Sequence, residues 1–296
     1  MTDAARISPA PPVSPAPPSS PSRSFRDRLT RRERGSADID EHGRSDHRRT
    51  DRTFEERDAR SAAHPDRAVV VLRDAGKTYP NGKIALRDVS LVVPEGDVVF
   101  LVGPSGAGKS TFIRLLIREE VATTGEVVLD GVDLARLPKR DVARVRRRIG
   151  TVFQDFKLLP KKTVWENVAF ALEVTGTPRR DIAPAVDRVL AVVGLTAQTG
   201  QLPSQLSGGE QQRTAIARAL VHDPRIIIAD EPTGNLDPLI SWEIIQLLLR
   251  INELGVTVFM ATHNAEVVTA LRKRVVALED GRIIRDEVGG AYHRED

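Results

Sequence analysis

The stretch Gly103-Pro104-Ser105-Gly106-Ala107-Gly108-Lys109-Ser110-Thr111 has the residue types and spacing to bind a polyphosphate. Gly103, Gly106 and Gly108 let the backbone curl until successive N–H groups point at one anion. A helix starting where the turn ends adds unpaired amides and the positive end of its dipole. Lys109 reaches the β- and γ-phosphates from such a loop, and Ser110 supplies the hydroxyl that Mg²⁺ requires there. The bland alternative is a Gly-rich turn that happens to precede a Lys-Ser pair. Context argues against it: the apolar run Val98 to Val102 comes before and the helix-patterned stretch Phe112 to Ile117 after, so the turn joins a strand to a helix.

Further along, Ile226-Ile227-Ile228-Ala229-Asp230-Glu231 is a β-branched run suited to a strand buried on both faces, ending in two acids. At the carboxyl end of a central parallel strand beside a phosphate loop, Asp230 can hold Mg²⁺ and Glu231 can polarise a water. Such a strand is weak evidence alone and strong evidence downstream of a phosphate loop. A third strand, Val256 to Ala261, ends in Thr262-His263. A lone histidine is usually structural, but one at this strand end points to where a γ-phosphate lies. Leu206 to Arg213 opens a helix with Ser207 as N-cap and Gly208-Gly209 in its first turn. Each glycine costs about 1 kcal/mol in a helix, so the pair asks for a reason. Either an anion approaches the exposed amides or the cap is merely flexible. Tyr79, one of two tyrosines, sits in the turn Lys77 to Gly82 and either packs on a sheet edge or stacks on a purine.

The elements around these residues describe an α/β chain. At 296 residues and 40% hydrophobic content there is enough apolar material for one large domain or two small ones. Aromatics make up 4%, and the net charge is +3 with 44 basic residues against 41 acidic, so neither stacking platforms nor a basic block suggests a nucleic-acid partner. Mixed charge suits an anionic lipid surface or a solvated polyampholyte better. The absence of cysteine excludes a disulfide framework and Cys-based metal sites. No apolar run approaches about 18 residues, so no spanning helix is expected, and the residues after Met1 lack the apolar core of a signal peptide.

Residues 1 to about 21 are dominated by Pro, Ser and Ala, and 22 to 66 intermix Arg with Asp and Glu; 1–66 is expected to be a disordered extension, either inert or a tail for a membrane surface or partner. Order begins near Ala68, with strands at Val69 to Leu72 and Asp88 to Val93 and a hairpin turn at Asp130-Gly131 after Gly125 to Leu129. A basic helix, Lys139 to Arg148, precedes strand Ile149 to Phe153; its Arg146-Arg147-Arg148 run is either a solvated face or an anion contact. From Gln154 to Leu206 the pattern is helical, with helices at Val164 to Val174 and Arg180 to Val193, as in a subdomain inserted into the α/β core. Phe156, Leu158, Leu159 and Trp165 either fill the small core of that insert or line an exposed groove for a partner, and the scarcity of aromatics elsewhere favours the groove. A closing hairpin, Val275 to Leu278 and Arg282 to Ile284, leads to a polar tail at 291–296.

Tyr79, the phosphate loop, Gln154, Leu206 to Arg213, Asp230-Glu231, Gly234 to Asp237 and His263 occur in the order and approximate spacing of an ATP-binding cassette (ABC) ATPase, which the chain resembles over about residues 68 to 288. The octapeptide at 206 distinguishes that family from other phosphate-loop hydrolases. Phe153 to Phe170, Asp230 to Asp237 and Gly255 to His263 are similar to its cell-division branch; exporter ATPases of the lipoprotein-release and macrolide-efflux branches share Pro232 to Asp237, so Leu159 to Phe170 discriminates. The N-terminal 66 residues depart from the family pattern. The resemblance implies a P-loop core with a mixed sheet, an antiparallel β subdomain and a helical subdomain of about 155–220, within a domain spanning 67–290. It implies that Tyr79 stacks on the adenine of ATP and that Lys109 and the backbone of Gly103 to Thr111 hold the phosphates. Ser110 and Asp230 would hold Mg²⁺, Gln154 would contact metal and water, Glu231 would be general base and His263 would grip the γ-phosphate. Ser207, Gly208 and Gly209 would face the nucleotide of a second copy across a homodimer interface. The implied setting is the cytoplasmic face of the cell membrane, where the helical insert couples ATP hydrolysis to an integral membrane partner that controls cell-wall hydrolases. A ribosome- or DNA-acting cassette would carry a second cassette or a coiled coil, and Glu231 with His263 argues against a nonhydrolytic module.

Overall fold

A computed structural model of the chain describes residues 68–292; the expectations for 1–66 and for the last residues of the polar tail lie outside the described residues. Strand β1 (Ala68–Thr78) pairs antiparallel with β2 (Ile84–Pro94) and with β4 (Thr124–Leu129), and the short β5 (Val132–Asp133) completes an antiparallel sheet of order β2-β1-β4-β5. In β2 the buried positions Leu86, Val89, Leu91 and Val93 are interrupted by exposed ones, the mark of a sheet wet on one face.

The second sheet holds β3 (Val98–Val102), β6 (Ile149–Phe153), β7 (Ile226–Asp230), β8 (Thr257–Ala261), β9 (Arg274–Glu279) and β10 (Arg282–Glu287) in the order β10-β9-β3-β8-β7-β6. All its pairings are parallel except β9 with β10, so it is mixed. Every residue of β3 and β8 is buried, which is why β3 reads as an unbroken apolar run and β8 as one apart from Thr257 at its start.

Strand β3 separates two cores. Val99 and Leu101 join the core built with β1, β2, β4 and helix α1 (Lys109–Leu116), where Phe112 stacks on Phe259 with ring centroids 5.3 Å apart. Val98, Phe100 and Val102 join the other core, with α3 (Val164–Glu173), α4 (Arg179–Val192), α5 (Gly208–Leu220), α6 (Pro238–Glu253) and α7 (Ala265–Leu271). Helix α6 starts where Asp237 accepts the Ile240 amide at 3.0 Å and Pro238 occupies the first turn, a start signal present in the sequence.

Two expectations are corrected. The basic stretch is not one helix: Lys139–Asp141 form a 3-10 turn and α2 covers only Val142–Arg146. Two arginines of the run have structural partners. Arg146 donates to the carbonyls of Ile117 and Arg118 at the end of α1, and Arg148 pairs with Asp130 at 2.7 Å. Trp165 does not line a free groove. It is half-buried against the helical core, and its indole N–H donates to Asp187 of α4 at 3.0 Å, so it locks α3 to α4. Phe156, Leu158 and Leu159 are only partly buried.

Candidate nucleotide site

Parallel pairing brings the carboxyl ends of β3, β7 and β8 to one edge of the sheet; Leu101 and Asp230 both stand in register with Ala261. The loop after β3, the acids ending β7 and His263 just beyond β8 therefore converge on one cleft of about 1160 Å³. It is lined by Tyr79, Gly103, Pro104, Ser105, Gly106, Gly108, Lys109, Ser110, Thr111, Asp230, Glu231 and His263.

The loop needs its glycines. Gly103, Gly106 and Gly108 have φ of 145°, 84° and 109°. A Cβ on Gly103 would sit 2.1 Å from Leu278 O, and one on Gly108 2.6 Å from Ala85 O. Ala107 is buried beneath the loop, its N–H bonded to Pro104 O at 3.2 Å. Phe112 N–H makes the first bond of α1, to Gly108 O at 2.9 Å, so the amides of Lys109 to Thr111 precede the helical ladder and remain donors for an anion. Lys109 curls over the loop, its Nζ donating to Gly103 O at 2.7 Å and Pro104 O at 3.1 Å. Tyr79 reaches the site through its hydroxyl, 3.2 Å from Thr111 Oγ1.

Burial raises the Asp230 pKa, and the neighbouring Glu231 raises it further, while Lys109, Arg114 and Lys157 oppose. Glu231 has φ of 48°, a left-handed conformation that costs a non-glycine residue about 1–3 kcal/mol and is held by its N–H bond to Ala261 O at 2.9 Å. The conformation delivers the carboxylate to His263: Nδ1 lies 2.9 Å from Oε2, and the His263 amide donates to the same oxygen at 3.3 Å. The Glu231 side chain is 18% exposed and that of His263 69%. The acid is sheltered and the imidazole reaches outward.

Among the described residues no group of three or more His, Asp or Glu could hold a metal ion alone. Asp230 and the Ser110 hydroxyl form the incomplete oxygen set that suits Mg²⁺, which commonly takes one or two protein ligands and completes its shell with phosphate and water. The residues fit the ion on those terms.

Gln154 and the Ser207–Gly209 tip lie outside the cleft lining. Gln154 is exposed and tied to Asn235 by two bonds: its Nε2 donates to Asn235 Oδ1, and Asn235 Nδ2 donates to the Gln154 main-chain carbonyl, both at 3.1 Å. At the tip, Ser207 and Glu210 form a capping box, the Glu210 amide donating to Ser207 Oγ at 3.3 Å and the Ser207 amide to Glu210 Oε2 at 2.8 Å. These bonds lower the Glu210 pKa, and the S-x-x-E spacing that makes them is legible in the sequence. A Cβ on Gly209 would lie 2.6 Å from Ile240 Cγ2 and one on Gly208 3.0 Å from Leu236 Cδ2. Close packing against Ile240 in the first turn of α6 thus favours glycine at 209, and Leu236 crowds 208 less severely, a reason invisible to composition. Sequence reasoning also missed Arg114, Lys83, Arg285 and Tyr292 on the cleft wall. Arg114 lies four residues beyond Ser110 on α1, a readable signal. Arg285 comes to the wall only through the closing hairpin, and Tyr292 through the segment beyond β10.

A glycine loop between strand and helix, with an acid pair and a histidine at the ends of neighbouring parallel strands, defines a phosphate-loop nucleotide hydrolase. The chain belongs to the ABC transporter family, as an ATP-hydrolysing cassette: that family's model matches residues 86–234. It is 54% identical over 229 residues to the Cell division ATP-binding protein FtsE of Streptococcus pneumoniae, covering 77% of this chain and 100% of that protein. Against the FtsE of Bacillus subtilis identity is 53% over 224 residues, covering 76% and 98%. Among solved structures, a dimeric ATP-binding cassette in a post-hydrolysis state with ADP and Pi superposes with a TM-score of 0.66 at 37% identity, covering 75% of this chain and 100% of that one.

Proposed function

We propose that the chain is the peripheral ATPase subunit of a membrane ABC complex acting in cell division, and that ATP turnover drives conformational change in an FtsX-like integral partner that controls cell-wall hydrolysis. The observation that carries the chemistry is the Glu231–His263 contact at 2.9 Å beside the phosphate loop. The cell-division assignment is supported by the full-length match to the FtsE proteins.

Lys109 and the amides of the loop bind the phosphates of ATP, and Tyr79 packs on its adenine. Ser110 and Asp230 would hold Mg²⁺, with Gln154 contacting metal and water, and the ion would supply charge neutralisation at the phosphates. Glu231 takes a proton from the attacking water as its oxygen bonds to the γ-phosphorus and the bond to the β-phosphate oxygen breaks, giving ADP and phosphate. His263, held by Glu231 through Nδ1, lies on the cleft wall with its imidazole reaching outward and grips the γ-phosphate. Ser207, Gly208 and Gly209 lie outside their own cleft and so complete the site of a second copy in an ATP-bound homodimer, the arrangement suggested by the dimeric relative.

Among the described residues no helix is long and apolar enough to cross a membrane. The proposed integral partner holds the chain at the cytoplasmic face, docked on the helical subdomain near the partly buried Phe156, Leu158 and Leu159. Purifying the tagged chain from detergent-solubilised membranes and identifying the co-purifying integral protein tests this. A four-span FtsX-like protein supports the reading; an exporter permease of the lipoprotein-release or macrolide-efflux type would replace it.

A further inference from the structure

Helix α5 carries more than the Ser207–Gly209 tip. Near its other end Arg218 is partly buried, and among the described residues it forms no ion pair. Its guanidinium donates instead to two successive carbonyls, Nη1 to Lys157 O at 2.7 Å and Nη2 to Phe156 O at 2.9 Å. Both residues are left-handed, with φ of 49° and 55°, a conformation that side-chain-bearing residues rarely hold in succession without support from outside the turn. This turn follows Gln154 almost directly. Burial lowers the Arg218 pKa, so two neutral carbonyls are poor compensation for a desolvated cation if mere cohesion were the requirement.

A second side chain of the same helix behaves alike. Gln212 is fully buried, and its Nε2 donates at 2.6 Å to the carbonyl of Pro232, the residue after Glu231. Its Oε1 is buried without a partner among the described residues. A half-satisfied amide in a core is unfavourable beside an apolar residue of similar volume. One rigid helix thus carries a tip outside its own cleft, a hook on the turn behind Gln154 and a hook on the turn behind Glu231.

We propose that α5 is a lever for ATP hydrolysis, with Arg218 and Gln212 as positioning residues that tie the Ser207–Gly209 tip to the loops bearing Gln154 and Glu231. Seating a second copy's nucleotide against the tip displaces α5 as a body, and the two hooks carry that displacement to both loops. The inference rests on the roles given above to Gln154, Glu231 and the tip. It adds the physical link between them, through side chains that touch no nucleotide.

The test uses the full chain with Mg-ATP. Arg218→Met keeps the apolar stem and removes the donors. Turnover should fall on the order of tenfold or more, as expected for a misplaced reacting group, while KM for ATP changes by no more than about twofold because the cleft is untouched. Arg218→Lys, which retains one charged donor, should recover part of the rate. In a double-mutant cycle with Gln154→Ala the losses should be non-additive, the double variant being no slower than the slower single by more than about twofold. Wild-type turnover in folded Arg218→Met, or fully additive losses, would overturn the lever. If Arg218→Met does not fold, Gln212→Leu decides. The substitution removes the orphaned oxygen and should leave the melting temperature unchanged or higher while lowering turnover on the order of tenfold; unchanged turnover rejects the proposal. Failure of the underlying reading is distinguishable, because Glu231→Gln would then show no ATP-dependent dimer. A trapped dimer there with unaltered turnover in the hook variants rejects the lever alone.

Discussion

Replacing Glu231 by Gln separates the chemistry of the site from its architecture. The amide has the carboxylate's shape, and its oxygen can still accept the His263 Nδ1–H and main-chain N–H that now reach Oε2 at 2.9 and 3.3 Å. The left-handed backbone is unaffected, since the Glu231 N–H bond to Ala261 O involves no side chain. The lost function is proton acceptance. A positioned general base contributes about 10²- to 10⁴-fold, and at about 1.4 kcal/mol per tenfold this raises the barrier by about 3 to 5 kcal/mol. Phosphate release under saturating Mg-ATP should fall by that factor while equilibrium nucleotide binding stays within about twofold of wild type. Because the phosphate loop and the α5 tip are intact, the dimer should form on ATP and fail to reopen, and light scattering should report a stable dimer. Wild-type turnover would remove Glu231 from the base role, and a variant that binds ATP yet remains monomeric would refute the shared-site mechanism.

Lys109→Ala removes the point charge that now lies over Gly103 O and Pro104 O, and calorimetry should show loss of ATP binding itself, not merely of turnover; near-normal affinity would exclude Lys109 from the site. Trp165→Ala should lower stability by about 2 kcal/mol or more, through lost packing and the lost bond to Asp187, whereas an unchanged urea midpoint would restore the groove reading rejected above. Burial, aided by Arg147, holds the His222 imidazole pKa below its ordinary value. The unfolded chain therefore binds a proton there before the folded one does, and stability falls as pH drops through the usual histidine range. Between pH 7.5 and 5.5 the wild type should lose more stability than His222→Gln, and equal losses would contradict the assignment.

Several parts of this protein are legible in its residues alone because the physics behind them is local. A polyphosphate loop must be glycine-rich, end in Lys-Ser and stand between a strand and a helix, so residues 103–111 declare themselves. Strands buried on both faces must be largely apolar, so β3, β7 up to Asp230 and β8 after Thr257 are readable as apolar runs. Capping obeys equally short rules. The Ser207 cap comes out of them, and so do the Glu210 half of its box and the Asp237-Pro238 start of α6, which demand no information beyond four consecutive residues.

Which distant residues meet is a matter of packing and sheet order. Nothing near Gly208-Gly209 in the chain announces that Leu236 and Ile240 press against them, and the paired glycines have a packing reason only once α5 lies on α6. Trp165 looks like a partner's anchor until α4 brings Asp187 to its indole nitrogen, and Arg146 and Arg148 look like a charged face until the end of α1 and the Asp130 turn arrive beside them. Gln154 belongs to the site by motif, yet its amide is held by Asn235, a residue that the parallel pairing of β6 with β7 places beside it. The elements and the chemistry of the loop are written in the residues themselves, because both depend on neighbours a few positions apart. The shared cleft is not: only when β3, β7 and β8 stand side by side do Lys109, Asp230, Glu231 and His263 face it, and that adjacency depends on pairings between strands far apart in the chain.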